Sequence, residues 1–304
     1  FLCHQKVAAG SLSRLLKMEL QKRGSRFKTF VDCDDLNDLT RLFSYVGQDT
    51  ETLVVLATPD ILTRKWCVGE MCTARVQRVH SVFLTFPGFV KPDKAFIESY
   101  SSIVPDVTEL ANYNIGLTEV EETLQWVNSL QTVEVPALLT LDSVDRIVSE
   151  LTNTFRTKST NQALEPDCII LADLDNIESA STAYVLLGLL VPMLVGAGMP
   201  VVLQKEEPLP RSAKAVLMIC SEGCFRSPDV ASSLLQILAV PSCSILPIIA
   251  EDGFRFPSQA YYDDLVQNPQ LADLDLEQYV RIIKAVFQEI AVVFSPQNYS
   301  STQE

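Results

Sequence analysis

A tryptophan and a glutamate four positions apart, Trp66 and Glu70, are the two residues of this sequence whose types and spacing best suit chemistry. A short apolar, β-branched run at 52–57 (TLVVLA) precedes them and predicts a buried strand. Apolar residues then recur with a helical period from Val68, which predicts Glu70 in the first turn of a helix beginning at the carboxyl end of that strand. Ligands bind at this edge of open α/β sheets, and a helix N-terminus favours an ionised carboxylate. The alternative is that Glu70 only complements the helix dipole.

The net charge of −14 over 304 residues limits the kinds of partner. Because an acidic surface repels phosphates and the chain has no basic run, we expect neither nucleic acid nor an anionic membrane surface as the main partner. The chain is 47% hydrophobic and can bury large cores. Its length suggests two domains of about 150 residues each.

The cysteines and histidines argue against a metal site. The eight cysteines include no C-x-x-C pair, and the two histidines, His4 and His80, are too few for a zinc site of the usual spacing. We therefore predict no metal, and cysteines that stay reduced in the core of a cytoplasmic protein. The chain begins with Phe1 inside a predicted strand and shows no signal peptide, so we expect a piece of a longer protein.

One uncharged stretch, 183–203, has the length of a membrane span. Two prolines and two glycines interrupt it, at Pro192, Gly196, Gly198 and Pro200. These residues divide it into a helix, a turn and a strand, which favours a buried unit of an α/β domain over a membrane segment.

Predicted strands alternate with predicted helices through the first half of the chain. The strands are expected at 1–4, 27–31, 52–57 and 81–86, and the helices at 11–23, 40–46 and from Val68 onward. Strands separated by helices indicate a parallel sheet with right-handed crossovers. Helices predicted at 118–131, opening with Thr118 and Glu121 at capping-box spacing, and at 142–155 lead into a polar boundary at 158–165. We assign 1–130 to the first domain and 131–165 to a helical linker.

The pattern restarts after the boundary, so 166–304 is predicted to be a second domain of the same class. Its strands are expected at 168–172, 201–203, 215–220 and 244–249, and its helices at 183–195, 228–238 and 275–294. The strands that begin at 52 and 81 thus recur at 215 and 244, a constant offset of 163 positions. This offset suggests an internal duplication.

Four motifs of the first half, in order, carry a family resemblance: FLCHQK from Phe1, FVDCDDLNDL from Phe30, TLVVLAT from Thr52 and RKWCVGE from Arg64. Together they resemble the Toll/interleukin receptor (TIR) domain family over residues 1–105. The resemblance implies a flavodoxin-like parallel-sheet fold for the first domain. Because the strand–helix pattern restarts in the second half, we expect an α/β fold with two flavodoxin-like parallel-sheet domains in tandem, the second a degenerate TIR-like repeat. Cys3 stands where the family commonly has serine.

The resemblance implies two kinds of activity. Many TIR domains are adaptors in immune or stress signalling that self-associate through the loop after the second strand, which here contains Asp32, Asp34, Asp35 and Leu36. Others are NAD⁺ hydrolases that cleave the nicotinamide–ribose bond and release nicotinamide with linear or cyclic ADP-ribose. They need no cofactor or metal besides the NAD⁺ substrate, and their essential glutamate corresponds to Glu70.

The resemblance also implies substrate contacts. Phe30 would line the nicotinamide-ribose side, Trp66 would wall the pocket, and His4, Gln5 and Lys6 would lie near the phosphates and ribose. Packing in the core is the alternative for Phe30 and Trp66. For the aspartates of the loop, the alternative to an assembly surface is a solvated turn.

A single carboxylate suits this reaction. Nicotinamide leaves NAD⁺ from an already cationic form, so no general acid has to protonate it. The anomeric carbon passes through an oxocarbenium-like state, as in glycoside cleavage. The carboxylate of Glu70 would face this growing positive charge and supply the main electrostatic stabilisation.

The second half lacks a Trp-x-x-x-Glu pair. Ser232 or Ser233 falls near the glutamate position, and the nearby acids Glu222 and Asp229 do not match it. We expect this half to be catalytically inactive and to pack on the first or mediate assembly. The two functional hypotheses are an NAD⁺ nucleosidase activated by self-assembly and a non-catalytic TIR scaffold. A third, more distant one is an α/β ligand sensor that only resembles TIR domains.

Overall fold

The computed structural model describes residues 1–24, 28–36, 41–152, 166–194, 199–238, 240, 243–251, 253–288 and 290–296. The described residues up to 152 form one compact unit, and those from 166 to 296 form a second. Each unit contains one parallel sheet flanked by helices. The α/β class with two parallel sheets is therefore confirmed.

The sheet of the first unit has four parallel strands among the described residues: β1 (Leu2–Cys3), β2 (Thr52–Ala57), β3 (His80–Thr85) and β4 (Gln131–Glu134). They are paired in the order β1-β2-β3-β4. Strand β2 has the predicted bounds, and its five residues from Leu53 to Ala57 are buried. It forms the centre of the core, as a continuous apolar strand of a parallel sheet should.

The strand predicted at 27–31 is not regular over its described residues, 28–31. The amide of Leu2 nevertheless donates to the carbonyl of Phe30 at 3.0 Å. This segment therefore lies beside β1, on the side opposite β2. Its position makes the order of the sheet compatible with the flavodoxin-like order 2-1-3-4-5.

The described part of the first unit contains eight α-helices. They are α1 (Lys6–Lys22), α2 (Asp32–Asp35), α3 (Leu42–Gln48), α4 (Lys65–Gln77), α5 (Lys94–Glu98), α6 (Tyr100–Ile103), α7 (Leu117–Val127) and α8 (Leu141–Thr152), with 3-10 turns at Ile61–Thr63 and Pro105–Tyr113. Helix α1 starts earlier than predicted and is kinked at Ala9, where φ is −150° and ψ is 19°.

Helix α4 also begins earlier than its apolar pattern indicates, at Lys65. The prediction that Glu70 lies in the first turn is therefore wrong, because Glu70 is the sixth residue of the helix. The residues that open α4 are polar or bulky and follow the 3-10 turn directly, so apolar periodicity could not mark them. Helix α7 likewise begins at Leu117, and the Glu119 carboxylate accepts from the Gly116 amide at 3.0 Å in place of the predicted capping pair.

The segment 131–165 differs from the predicted helical linker. Its described part, 131–152, contains β4, which completes the first sheet, and α8, which packs on α1. The guanidinium of Arg23, the residue directly after α1, donates to the Asp145 carboxylate of α8 at 2.6 Å. The predicted boundary at 158–165 lies outside the described residues.

Among the residues described in the second unit, the sheet has five parallel strands: β5 (Cys168–Leu171), β6 (Val201–Val202), β7 (Ala215–Cys220), β8 (Ser244–Ile249) and β9 (Val292–Val293). Their spatial order is β6-β5-β7-β8-β9. Counted within the unit this is again 2-1-3-4-5, the flavodoxin-like order.

The second unit contains helices α9 (Ile177–Met193), α10 (Pro228–Ile237), α11 (Gln259–Leu265) and α12 (Leu276–Val286), with 3-10 turns at Cys224–Arg226 and Pro269–Leu271. Helix α9 begins at Ile177, six residues before the prediction, because Asn176 caps it by accepting from two backbone amides. The single helix predicted at 275–294 is wrong: it ends at Val286, and β9 follows. No helix in the described part of the chain is both long and apolar enough to cross a bilayer.

Candidate functional site

The candidate site lies where the connection from β2 to α4 meets the end of β1. After β2, the Thr58 carbonyl accepts from the Ile61 amide at 3.1 Å, and the Ile61 carbonyl accepts from the Arg64 amide at 3.1 Å. These bonds form the 3-10 turn that starts α4. The turn places Glu70 of α4 against Cys3, the last residue of β1, at the carboxyl edge of the sheet.

Three ligand-type side chains meet at this point. The sulfurs of Cys3 and Cys67 and a carboxylate oxygen of Glu70 all lie within 4.8 Å of one another. All three residues are buried, with exposed fractions of 1%, 7% and 5%. The Cys3 sulfur lies 3.8 Å from the Cys67 carbonyl, and the Cys67 sulfur lies 3.5 Å from the His4 carbonyl.

Burial controls the protonation of this cluster. Burial raises the pKa of Glu70 from 4.5 to about 8, with a smaller increase from Asp32, against a hydrogen bond from Cys3 that lowers it. Burial likewise raises the pKa of Cys3 well above its ordinary value. The prediction that the helix N-terminus keeps Glu70 ionised is therefore wrong: lost hydration dominates, and the carboxyl group is mostly protonated at pH 7. Its Oε2 atom has no hydrogen-bond partner among the described residues.

His4 and Asp32 lie beside the cluster. The His4 ring is buried, with Nδ1 3.2 Å from the Leu2 carbonyl and Nε2 3.7 Å from the half-exposed Asp32 carboxylate. The Nε2 atom has no hydrogen-bond partner among the described residues. The structure thus brings the predicted residues His4, Asp32 and Glu70 into one neighbourhood.

Gln5 and Lys6 lie at the start of α1. The Gln5 amide oxygen accepts from the Thr58 hydroxyl at 3.4 Å; with the amide turned over, its oxygen instead accepts from Nε and Nη2 of Arg64 at 3.2 and 2.6 Å. Lys6 is the first residue of α1 and is exposed. Gln5 therefore connects the end of β1 to the turn before α4. Contacts of these residues with a substrate remain predictions.

Phe30 and Trp66 belong to aromatic groups of the first unit. Phe30 stacks on Phe1 with centroids 4.9 Å apart and lies 5.0 Å from Tyr45. Trp66 packs against Phe43 at 5.9 Å and Tyr113 at 5.5 Å. Both side chains are partly buried against the core. This placement matches the packing alternative, and their substrate-binding roles stay predictions.

The acidic loop is tied to α1. The Asp34 side chain is fully buried and pairs with Arg14 and with Lys17, the latter at 2.8 Å. Asp35 accepts from Lys17 at 2.9 Å and from the Val31 amide at 2.8 Å. The solvated-turn alternative is therefore wrong for Asp34. The sequence of the loop could not predict this burial, because the two cations that pair with Asp34 lie on α1.

The outer residues of the same loop are more accessible. Asp32 and Leu36 are partly exposed, and an assembly role for the loop remains a prediction. The predicted loop residues 37–39 lie outside the described part of the chain.

A cavity of about 380 Å³ opens elsewhere in the first unit, between α3 and α4. Its walls include Phe43, Gly47, Thr73 and Tyr113, but not Glu70. The predicted catalytic carboxylate is thus enclosed by protein rather than placed in this cavity.

The corresponding region of the second unit lacks the acid. Its 3-10 turn and α10 begin 163 positions after the turn and α4 of the first unit, which places Ser233 at the position of Glu70. Asp229 lies in the first turn of α10 and pairs with Lys205 at 3.3 Å, and Glu222 is the second residue after β7. Neither acid occupies the matching helical position.

Sequence reasoning missed Cys3 and Cys67 as neighbours of Glu70. They are 64 positions apart, and the pairing of β1 with β2, together with the turn from β2 into α4, brings them together. The available signal was local: Cys3 ends a predicted strand, and Cys67 precedes Glu70 by three residues, on the same face of a helix. Comparison with protein families and with curated proteins finds no match for this chain.

Proposed function

We propose that the first unit is a TIR-type NAD⁺ nucleosidase that releases nicotinamide, with Glu70 as its catalytic carboxylate. The observation that carries this proposal is the buried Glu70 carboxyl, whose Oε2 atom has no partner among the described residues. It lies beside the last residue of β1, at the sheet edge where ligands of this architecture bind. The Trp66-x-x-x-Glu70 spacing and the other three motifs support the same assignment.

Burial gives this carboxylate its chemical value. A charge in a dry site interacts more strongly with a developing cation than the same charge in water. The nicotinamide riboside group carries a positive charge, and an opposite charge nearby favours the ionised carboxylate. NAD⁺ binding would therefore displace the Glu70 proton to solvent, and the resulting carboxylate would face the anomeric carbon as the bond to nicotinamide breaks.

The site has to open before NAD⁺ can enter. Glu70 is 5% exposed, whereas the neighbouring Asp32 side chain is 42% exposed. We place the entrance on the Asp32 side, between α2 and the start of α1. Self-assembly through this loop would couple opening to activation, as the resemblance to TIR domains implies.

The test is nicotinamide release from NAD⁺ at high protein concentration with a crowding agent. We expect turnover in the parent and a loss of at least about 100-fold in Glu70→Gln, the scale of removing one key electrostatic group. Glu121→Gln, which removes an exposed carboxylate from α7 of the same unit, serves as the matched control and retains parental turnover.

The pH profile adds a second criterion. In the free protein Glu70 must lose its proton to act, so kcat/KM should rise with pH toward a pKa of about 8. Turnover in Glu70→Gln equal to the parent would remove Glu70 from the mechanism. Absence of turnover in the parent, with assembly demonstrated by light scattering, would contradict the nucleosidase.

The second candidate is a non-catalytic TIR scaffold. The enclosure of Glu70, with its carboxyl group mostly protonated at pH 7, favours this candidate. A scaffold would self-associate equally well as the parent and as Glu70→Gln. It would lose association when the exposed side of the loop is changed by Asp32→Lys.

A further inference from the structure

We propose that Cys3, Cys67 and Glu70 bind a Zn²⁺ ion. The site itself is independent of the proposed NAD⁺ nucleosidase. Only its consequence for turnover rests on that function. The sequence predicted no metal because the histidines are few, whereas the structure brings together two sulfurs and a carboxylate.

The geometry suits a small tetrahedral ion. Zinc sites have Zn–S distances of about 2.3 Å and Zn–O distances of about 2.1 Å, which correspond to ligand atoms roughly 3.5–3.8 Å apart. The three ligand atoms lie within 4.8 Å of one another. Small side-chain rotations that move each ligand atom by about 1 Å would therefore complete the site. Cys67 and Glu70 are three residues apart on α4 and share a helix face, while Cys3 is held by the sheet.

The donor set selects the metal class. Two thiolate sulfurs disfavour the hard cations Mg²⁺ and Ca²⁺, which take oxygen ligands. Two sulfurs with one carboxylate oxygen and an open fourth position are a donor set typical of zinc. The fourth ligand would be a water molecule or the His4 carbonyl, which already lies 3.5 Å from the Cys67 sulfur.

The cluster also contains a buried polar atom that a cation could coordinate. The Glu70 Oε2 atom is buried without a partner among the described residues, and an unsatisfied buried polar atom is costly. Zinc would replace the thiol protons and the Glu70 proton, which leave to solvent, so binding should strengthen as pH rises. The ion would also join β1 to α4 and stabilise the first unit.

Zinc and NAD⁺ would compete for the same carboxylate. With its oxygen bound to the metal, Glu70 could not face the anomeric carbon of a substrate. Zinc at this site would therefore inhibit the proposed nucleosidase, and a chelator would restore its activity.

The direct test is metal binding by the purified chain under a non-chelating reductant. Titration with Zn²⁺ against a chromophoric competitor should give one ion per chain at this site. Titration with Co²⁺ should give the near-ultraviolet thiolate-to-metal band together with the visible bands of tetrahedral coordination. Cys3→Ala, Cys67→Ala and Glu70→Gln should each weaken zinc binding by about 100-fold, roughly the share of one ligand in a zinc site.

Cys72→Ala is the matched control, since Cys72 is also a buried cysteine of α4 but lies outside the cluster. Its affinity should equal that of the parent. Cys67→Ser provides a second variant, and circular dichroism checks the fold of each. Zinc affinity unchanged by Cys3→Ala and Cys67→Ser, or a cobalt complex without the thiolate band, would overturn the site.

Failure of the site and failure of the nucleosidase give different results. A cobalt spectrum lost in Cys67→Ser supports the site even if the parent never releases nicotinamide. Turnover that depends on Glu70 without any cobalt spectrum would overturn the zinc site and leave the nucleosidase intact.

Discussion

The connection that carries Glu70 in the first unit recurs in the second with the same local structure and different chemistry. Strands β2 and β7, the 3-10 turns that follow them, and the first residues of α4 and α10 are all separated by 163 positions. The backbone bonds correspond as well: Ile61 donates to Thr58, and Cys224 donates to Ser221, at 3.1 and 3.2 Å. Each unit thus positions a helix at the carboxyl edge of its sheet in the same way.

A buried tyrosine fixes the turn in both units. The Tyr100 hydroxyl donates to the Leu62 carbonyl at 2.7 Å, and the Tyr279 hydroxyl donates to the Phe225 carbonyl at 2.9 Å. Leu62 and Phe225 are the middle residues of the two turns. The tyrosines come from different helices, α6 and α12, so two different parts of the chain support the same turn.

The two helices differ where chemistry would occur. The first unit has Gly69 and the buried Glu70, and the second has Ser232 and Ser233, both partly exposed. A Cβ atom on Gly69 would come within 2.5 Å of the Phe43 ring, so this ring occupies the space that a side chain at position 69 would need. The comparison shows that the strand, turn and helix shared by the two units place a side chain at the same point of each sheet edge. The residue type at that position decides whether a buried acid is present.

The largest expected effect is on the pH dependence of stability, when Glu70 loses the titratable group that its counterpart Ser233 lacks. Folding raises the Glu70 pKa from 4.5 to about 8, so the unfolded chain releases its proton first. As far as Glu70 is concerned, the free energy of unfolding has its full value below pH 4.5. It falls by about 1.4 kcal/mol per pH unit as the pH rises toward 8. Glu70→Gln should remove most of this fall, and Ser233→Ala should leave it unchanged.

Tryptophan fluorescence during urea unfolding measures this effect in the first unit alone, because both tryptophans, Trp66 and Trp126, belong to it. The free energy of unfolding would be compared at pH 5 and pH 8. A parent as stable at pH 8 as at pH 5 would show that Glu70 is not held neutral by the fold.

The next effect contrasts a buried ion pair with an exposed one. Asp34→Ala removes the fully buried carboxylate that pairs with Arg14 and Lys17, and Lys17 keeps its 2.9 Å pair with Asp35, so we expect a cost of about 3 kcal/mol. Asp175→Ala removes the 65%-exposed partner of Lys205 in the second unit and should cost at most about 1 kcal/mol. Peptide-resolved amide hydrogen exchange reports the two units separately.

Equal losses in these two variants would contradict the contrast. Asp34→Asn is the conservative check on fold, because it keeps the side-chain volume while removing the charge. It should be destabilising as well, though less than Asp34→Ala.

The smallest expected loss of stability comes from removing the tyrosine hydrogen bond to the 3-10 turn, which both units have. Tyr100→Phe and Tyr279→Phe each delete one hydroxyl and leave a buried carbonyl without its donor, which costs about 1–3 kcal/mol. The two losses should agree within about 1 kcal/mol, each confined by hydrogen exchange to its own unit. A loss in one unit only would show that the two turns are not supported in the same way.

The central strands could be predicted from the sequence because their composition is largely apolar. Strands β2, β7 and β8 have the predicted bounds: β2 and β7 are mostly buried, and β8 is apolar apart from Ser244 although its first three residues are not buried. The edge strands left no such record. In β4 three of the four residues are exposed, and β9 has only two residues, so pairing with a neighbour, not composition, makes them strands.

The site could be predicted in part. The motif located Glu70 and the strand end beside it, and the structure places His4 and Asp32 in the same neighbourhood. The protonation of Glu70 could not be predicted, since it depends on how completely the fold encloses the carboxyl group. The proximity of Cys3 and the burial of Asp34 are likewise tertiary, arising from contacts between segments far apart in the chain.

The late arrival of β4 has a consequence for how the first unit is made. Strand β3 pairs with β2, whose paired residues precede it by 28 positions. On its other side β3 pairs with β4, where the partner of Val82 is Gln131, 49 positions later in the chain. Until then a nascent chain presents the apolar edge of β3, a template for association with other chains. A chain cut at 130 would keep that edge permanently open and lose α8 from α1. It should aggregate as it leaves the ribosome, whereas a chain continued to 152 should fold.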